Sequence, residues 1–141
     1  MHSITFVLLR SPIANIEETI DALLVPHRID ETHYDPSQRY DYWTIGGGNI
    51  TDLETAAAVG LAGDEDYGPN VCLVSRIGDR CTPADIITPD GVWHGPCDFG
   101  WKFLERDTLA GQQAYARWRA HAANVLAAHR DCVAVEIDTH S

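Results

Sequence analysis

His94, Cys97 and Asp98 lie within five residues of one another in Trp93-His94-Gly95-Pro96-Cys97-Asp98. An imidazole beside a carboxylate can move a proton near neutral pH, because the carboxylate fixes the ring tautomer and raises its proton affinity. In that chemistry His94 is the candidate general acid or base. Asp98, or the more distant Asp41, would orient it, and Tyr42 would donate a hydrogen bond. His94 and Cys97 could instead be two ligands of a metal. A closed site needs two more, from residues such as Cys81, His33 or Cys132, and no second HxxC or CxxC run supplies them. We therefore expect no metal and no cofactor. Cys97 as a nucleophile has no oxyanion-hole pattern beside it, and no serine sits in GxSxG. The acidic run Asp64-Glu65-Asp66 has no EF-hand framework and reads as a solvated loop.

A binding surface has more sequence behind it. Tyr40-Asp41-Tyr42-Trp43-Thr44-Ile45 runs directly into Gly46-Gly47-Gly48-Asn49, and a second aromatic stretch extends from Pro89 to Trp101. Large rings supply rigid contact area, while glycines let a ligand or another backbone approach. The expected site is a cleft in which Trp43, Gly46, Gly47 and Asn49 face Trp93, His94 and Trp101. Gly46 to Asn49 also joins an expected strand to an expected helix start, where free backbone N–H groups could hold an anion. It is neither a Walker loop nor GxGxxG, and a tight corner beneath packed rings is the simpler explanation.

The totals limit the partners. At 141 residues the chain is sized for one domain, residues 1–141, with a core that needs no staples. Twenty-one acidic against ten basic residues give a formal charge of −11. A nucleic-acid backbone would be repelled, since the Lys and Arg residues are scattered. An acidic surface suits solubility, or competition for a basic partner. Four cysteines without a CxxC pair, and a first apolar run too short for a signal sequence or a membrane span, point to reduced thiols in the cytoplasm.

These residues need elements to position them. Ile4 to Leu9 is continuously apolar and predicts a strand covered on both faces. Asn15 with Glu18 opens a helix carrying Ile16, Ile20, Leu23 and Leu24, which Pro26 ends. Residues 27–69 read as an insertion holding the first aromatic motif, with a strand at 40–45 and a short helix after Thr51. Val71 to Ile77 predicts a strand, and Pro89-Asp90-Gly91 predicts a hairpin turn. Asp107 is the expected cap of a long helix over 108–129, with Tyr115, Trp118, Ala122 and Val125 as its buried stripe. Val133, Val135 and Ile137 alternate with Ala134, Glu136 and Asp138 in a half-buried last strand. The order predicts an α+β fold, ferredoxin-like, with an antiparallel sheet and two main helices on one face.

The two aromatic segments resemble those of a family of uncharacterised small proteins found in actinobacteria and their phages. Its pattern is W-D-W-Y-x-I-G-G-R-W, then P-D-G-x-W-H-x-P-G-x-M-G-W, then a short apolar strand. Tyr40 to Gly47 is similar to the first part, and Pro89 to His94 with Gly100-Trp101 to the second. The tail Val133 to His140 is similar in style. Gly48-Asn49 replaces the Arg-Trp of the pattern, and Gly95-Pro96-Cys97-Asp98-Phe99 replaces its proline–glycine–methionine part. The resemblance implies a mobile-element origin without an assigned activity. The expected function is a cytoplasmic binding protein, an accessory or inhibitor whose partner is a protein enzyme or a small molecule. The other reading is a small cofactor-independent enzyme built on His94. Edge pairing of the sheet would make a homodimer.

Overall fold

The computed structural model describes residues 1–33, 35–46, 70–77 and 82–141. It opens with β1 (His2–Leu9), in which Phe6, Val7, Leu8 and Leu9 are at most 2% exposed. A strand apolar on both sides is stable only when both sides are covered, as the sequence predicts. The helix α1 (Ile16–Leu24) starts where expected: the Asn15 side chain accepts the Glu18 N–H at 3.1 Å. It tightens into a 3-10 turn at Val25–His27 that contains Pro26. Replacing Asn15 with alanine should cost about 0.5–2 kcal/mol. The change would be read as a lower urea midpoint at unchanged slope.

Then come β2 (Tyr42–Ile45), β3 (Val71–Leu73), β4 (Asp85–Ile87) and β5 (Trp93–His94), followed by α2 (Leu109–Ala128) and β6 (Val133–His140). The sheet runs β2-β6-β1-β4-β5, and β3 also pairs with β6. β1 and β6 are antiparallel along their whole length, from His2↔His140 to Leu9↔Val133. β2 and β3 share the other side of β6. β1 and β4 are parallel, whereas β4 and β5 form the expected hairpin. Gly91 closes it at φ 82°, its N–H donating to the Thr88 carbonyl at 2.8 Å. Glycine adopts that angle without the Cβ clash other residues would meet.

The α+β class therefore holds, with two helices among the described residues and a mixed six-stranded sheet. Two expectations are corrected. The sheet is not purely antiparallel, and the helices lie on opposite faces of it. Alternate residues of a strand point to opposite faces. Val7, Leu9, Ile87, Val135 and Ile137 pack with Ile20 and Leu24 of α1. Phe6, Leu8, Ile86 and Ala134 pack with Trp118, Ala122 and Val125 of α2. Parallel pairing of β1 with β4 requires a crossover, and α1 lies on the face that crossover covers. α2 connects the β5 edge to β6 over the other face. The ferredoxin-like outline, with both helices on one side, is not the arrangement described by these contacts.

Three smaller differences follow from local chemistry. β6 is not half-buried: Glu136 is 0% and Asp138 7% exposed, because the strand sits between β1 and the β2/β3 pair. Thr108 caps α2 in place of Asp107, its hydroxyl accepting the Gly111 N–H at 3.0 Å. The strand expected over 71–77 stops at Leu73 and turns into a 3-10 helix at Val74–Arg76. The helix expected after Thr51, the Asp64-Glu65-Asp66 loop, and Gly47, Gly48 and Asn49 lie outside the described residues. Among the described residues, no helix is long and apolar enough to cross a membrane.

Candidate functional site

Trp93 and His94 are neighbours in the chain and point to opposite faces. β5 pairs Trp93 with Ile87 and His94 with Ile86, residues that belong to the α1 and α2 sides respectively. Trp93 stacks on Tyr40 with centroids 6.2 Å apart and meets the His27 ring edge-on at 5.4 Å. The His27 ring is in turn anchored by Nε2 at 2.8 Å from the Gly91 carbonyl. His94 instead sits with Nδ1 3.0 Å from Nε2 of His121 on α2. Burial, followed by the His121 charge, lowers its proton affinity, so His94 is neutral at pH 7.

Past β5, the turn Pro96–Phe99 is held by Asp98, whose Oδ2 accepts the Gly95 N–H at 3.0 Å. Gly100, at φ 80°, reverses the chain, and the Trp101 N–H donates to the Pro96 carbonyl at 3.2 Å. The reversal brings the Trp101 ring 6.2 Å from Tyr115 on α2 and 6.4 Å from Phe103. Trp93, Trp101, Phe103 and Tyr115 line one cavity of about 890 Å³, at the end of the sheet where β1 and β4 begin and β5 and β6 finish. That is within the size range of small-ligand pockets, which are lined mainly by apolar and aromatic groups with a few placed polar ones.

Asp85 is the polar group that stands out. It heads β4, lines the cavity, and is pushed up to about 6, chiefly by burial. A hydrogen bond from the Trp93 side chain and the nearby Arg39 charge work against that rise, and Asp98 adds to it. Gly95 makes the arrangement possible, since a methyl group there would overlap the Asp85 carboxylate. A carboxyl poised near neutrality inside a cavity is a recurrent mark of functional sites. Cys97 borders the same space, but burial and then Asp85 raise its pKa. Little thiolate forms there at neutral pH, so nucleophilic chemistry has no support.

The residues named from the sequence are distributed as follows. Trp93, Trp101 and Asp98 line the cavity. His94 does not, and its hydrogen bond goes to His121 rather than to Asp98 or Asp41. Trp43 shares the α1 face with Trp93, but three strands separate β2 from β5. Its indole N–H reaches Asp21 at 3.4 Å instead. Asp41 lies 2.8 Å from Nδ1 of His140, a bond that holds its carboxyl below the usual range. Tyr42 stacks on the same His140 ring at 4.9 Å, and His2 approaches it at 4.9 Å from β1. The four candidates for proton transfer thus fall in three places, with Asp41 and Tyr42 together at His140, Asp98 at the cavity and His94 at His121, and Gly46 serves a turn beside Asn70. No group of three or more His, Cys, Asp or Glu residues that could hold a metal occurs among the described residues.

Asp85, Arg39, Phe103 and Tyr115 were not picked out as site residues from the sequence. The one signal was a charged residue heading Asp85-Ile86-Ile87, where a buried strand gains nothing from one. In comparisons with family models, curated proteins and solved structures, nothing matches this chain.

Proposed function

We propose that this protein binds a small organic ligand in the cleft lined by Trp93, Trp101, Phe103 and Tyr115. One observation carries the reading: three separated parts of the chain contribute aromatic rings to a single cavity around one half-buried carboxyl. Rigid rings bury much ligand area at little entropic cost, and a single placed polar group orients what they hold. His94 turns to His121 rather than to a carboxylate, which favours binding over catalysis by that residue.

A second reading is supported by the rim of the same cavity. Phe103 lines the cavity at 48% exposed, and Leu104 and Leu109, near it and near Asp107 in the chain, are 91% and 71% exposed. Exposed apolar side chains suit a covering protein, and a formal charge of −11 favours one with a basic surface. Such a partner would be the enzyme on which an accessory or inhibitor protein acts.

Nile red, a neutral dye that brightens in apolar clefts, tests the first reading. Wild type should enhance its emission saturably. Trp93→Ala and Trp101→Ala should each weaken binding about tenfold or more, the loss expected of central aromatic anchors. Trp43→Ala should leave it unchanged. Equal losses from Trp43 and Trp93 would move the binding site away from this cavity.

A further inference from the structure

We infer that the ligand of this cleft is an organic cation, an aromatic or apolar body bearing an ammonium or amidinium group that sits on Asp85. The inference rests on the binding reading above and specifies its chemistry.

Charge is what singles out a cation. The ionised side chains of the cavity are Arg39, Asp85, Asp98, Arg106 and Asp107. Arg39 lies 3.7 Å from Asp98, and Arg106 lies 3.8 Å from Asp107 while its guanidinium rests 4.3 Å over the Phe103 ring. Each arginine thus has its own carboxylate. Asp85 has no cation within ion-pair distance among the described residues. Its near partner is the neutral Trp93 indole, which satisfies only part of a carboxylate able to accept several hydrogen bonds. Arg39 acts on Asp85 only from beyond ion-pair distance. A charge removed from water without a close counter-charge is costly, and a bound cation would offset that cost.

The walls favour the same sign. Trp93, Trp101 and Tyr115 line the cavity, and aromatic rings carry quadrupoles whose faces attract cations. An anionic ligand would meet Asp85, the carboxylate left over once the two arginines are paired. A neutral one would shield the rings but leave Asp85 without a close counter-charge. Cys97 faces Asp85 as a neutral thiol, and the Met1 amine at the cavity edge donates to the Ser141 carbonyl at 2.7 Å. The thiol carries no positive charge, and the Met1 ammonium forms no ion pair with Asp85.

Three isosteric indoles separate the possibilities by displacement of Nile red: tryptamine (cation), indole-3-ethanol (neutral) and indole-3-acetate (anion). Tryptamine should compete at about tenfold lower concentration or better than indole-3-ethanol, with indole-3-acetate the weakest. Asp85→Asn should erase the gap between tryptamine and indole-3-ethanol. In wild type the gap should narrow between about pH 7.5 and about pH 5, as Asp85 takes up its proton. If Nile red binds and the cation and the alcohol compete equally, the cation is wrong and the cleft stands. If Nile red does not bind at all, the cleft reading fails and takes this inference with it.

Discussion

Truncating Trp118 to alanine is expected to destabilise the fold by about 3–5 kcal/mol, the range for deleting a large buried ring. Trp118 is 0% exposed and is the largest fully buried side chain among the described residues. It joins α2 to the sheet through Phe6, Leu8 and Ile86, and its indole N–H donates to the Pro83 carbonyl at 3.3 Å, just before β4. Alanine would leave a cavity among side chains fixed by two strands, and a buried acceptor without its donor. Domains of this kind are typically stable by about 5–15 kcal/mol, so the loss takes a large share of the total. Trp118→Phe keeps most of the volume and should lose mainly the hydrogen bond, about 0.5–1.5 kcal/mol. Urea denaturation of the two variants decides the matter. A loss below about 1 kcal/mol for the alanine variant would mean that α2 is held chiefly by something else.

Replacing Asp85 with asparagine is expected to stabilise the protein near pH 7 while weakening its ligand. The folded carboxyl titrates at about 6, against 3.8 for the free group. Between those values the folded state holds more proton than the unfolded one, so the Asp85 contribution to stability falls as pH rises through that window. Above it, the fold bears the whole cost of a buried charge. A rise of that size corresponds to at most about 3 kcal/mol; because Asp85 remains partly open to the cleft, we expect about 1–2 kcal/mol. Asp85→Asn should recover that amount near pH 7 and almost none near pH 4, where the folded carboxyl is already neutral. Asp30, Asp35, Asp41 and Asp90, whose pKa values are lowered, pull the wild-type curve the other way. The informative quantity is therefore the difference between wild type and variant. Equal stability at neutral pH would show that Asp85 carries no buried-charge cost. A substitution that strengthens a fold and weakens its binding marks a residue kept for function.

The elements were legible wherever a local rule governed them. Asn15 and Glu18 announce a helix start, Pro89-Asp90-Gly91 announces a turn, and the run from Ile4 to Leu9 announces a strand covered twice. What was hidden depends on relations between elements. The spacing of Ile20 and Leu24, or of Trp118 and Ala122, says that a helix has a buried side but not which side of the sheet it will meet. Reading Trp93 and His94 as a pair overlooked strand alternation, which sends one to the cleft and the other to α2. Asp85 escaped notice because one acid before two isoleucines looks like a boundary. Only the fold brings Gly95, Trp93 and Arg39 around it. Thr108 and Asp107 both suit a cap, and only the backbone angles choose between them.

β5 is two residues long and forms the outer edge of the sheet. Its indole and its imidazole therefore hang from the same few rungs, one on each side. If those rungs part, the aromatic wall and the His94–His121 contact come loose in a single event. Occupancy of one side should then be felt on the other: a molecule held against Trp93 should slow amide exchange at His94 and quiet the paired imidazoles beyond the sheet.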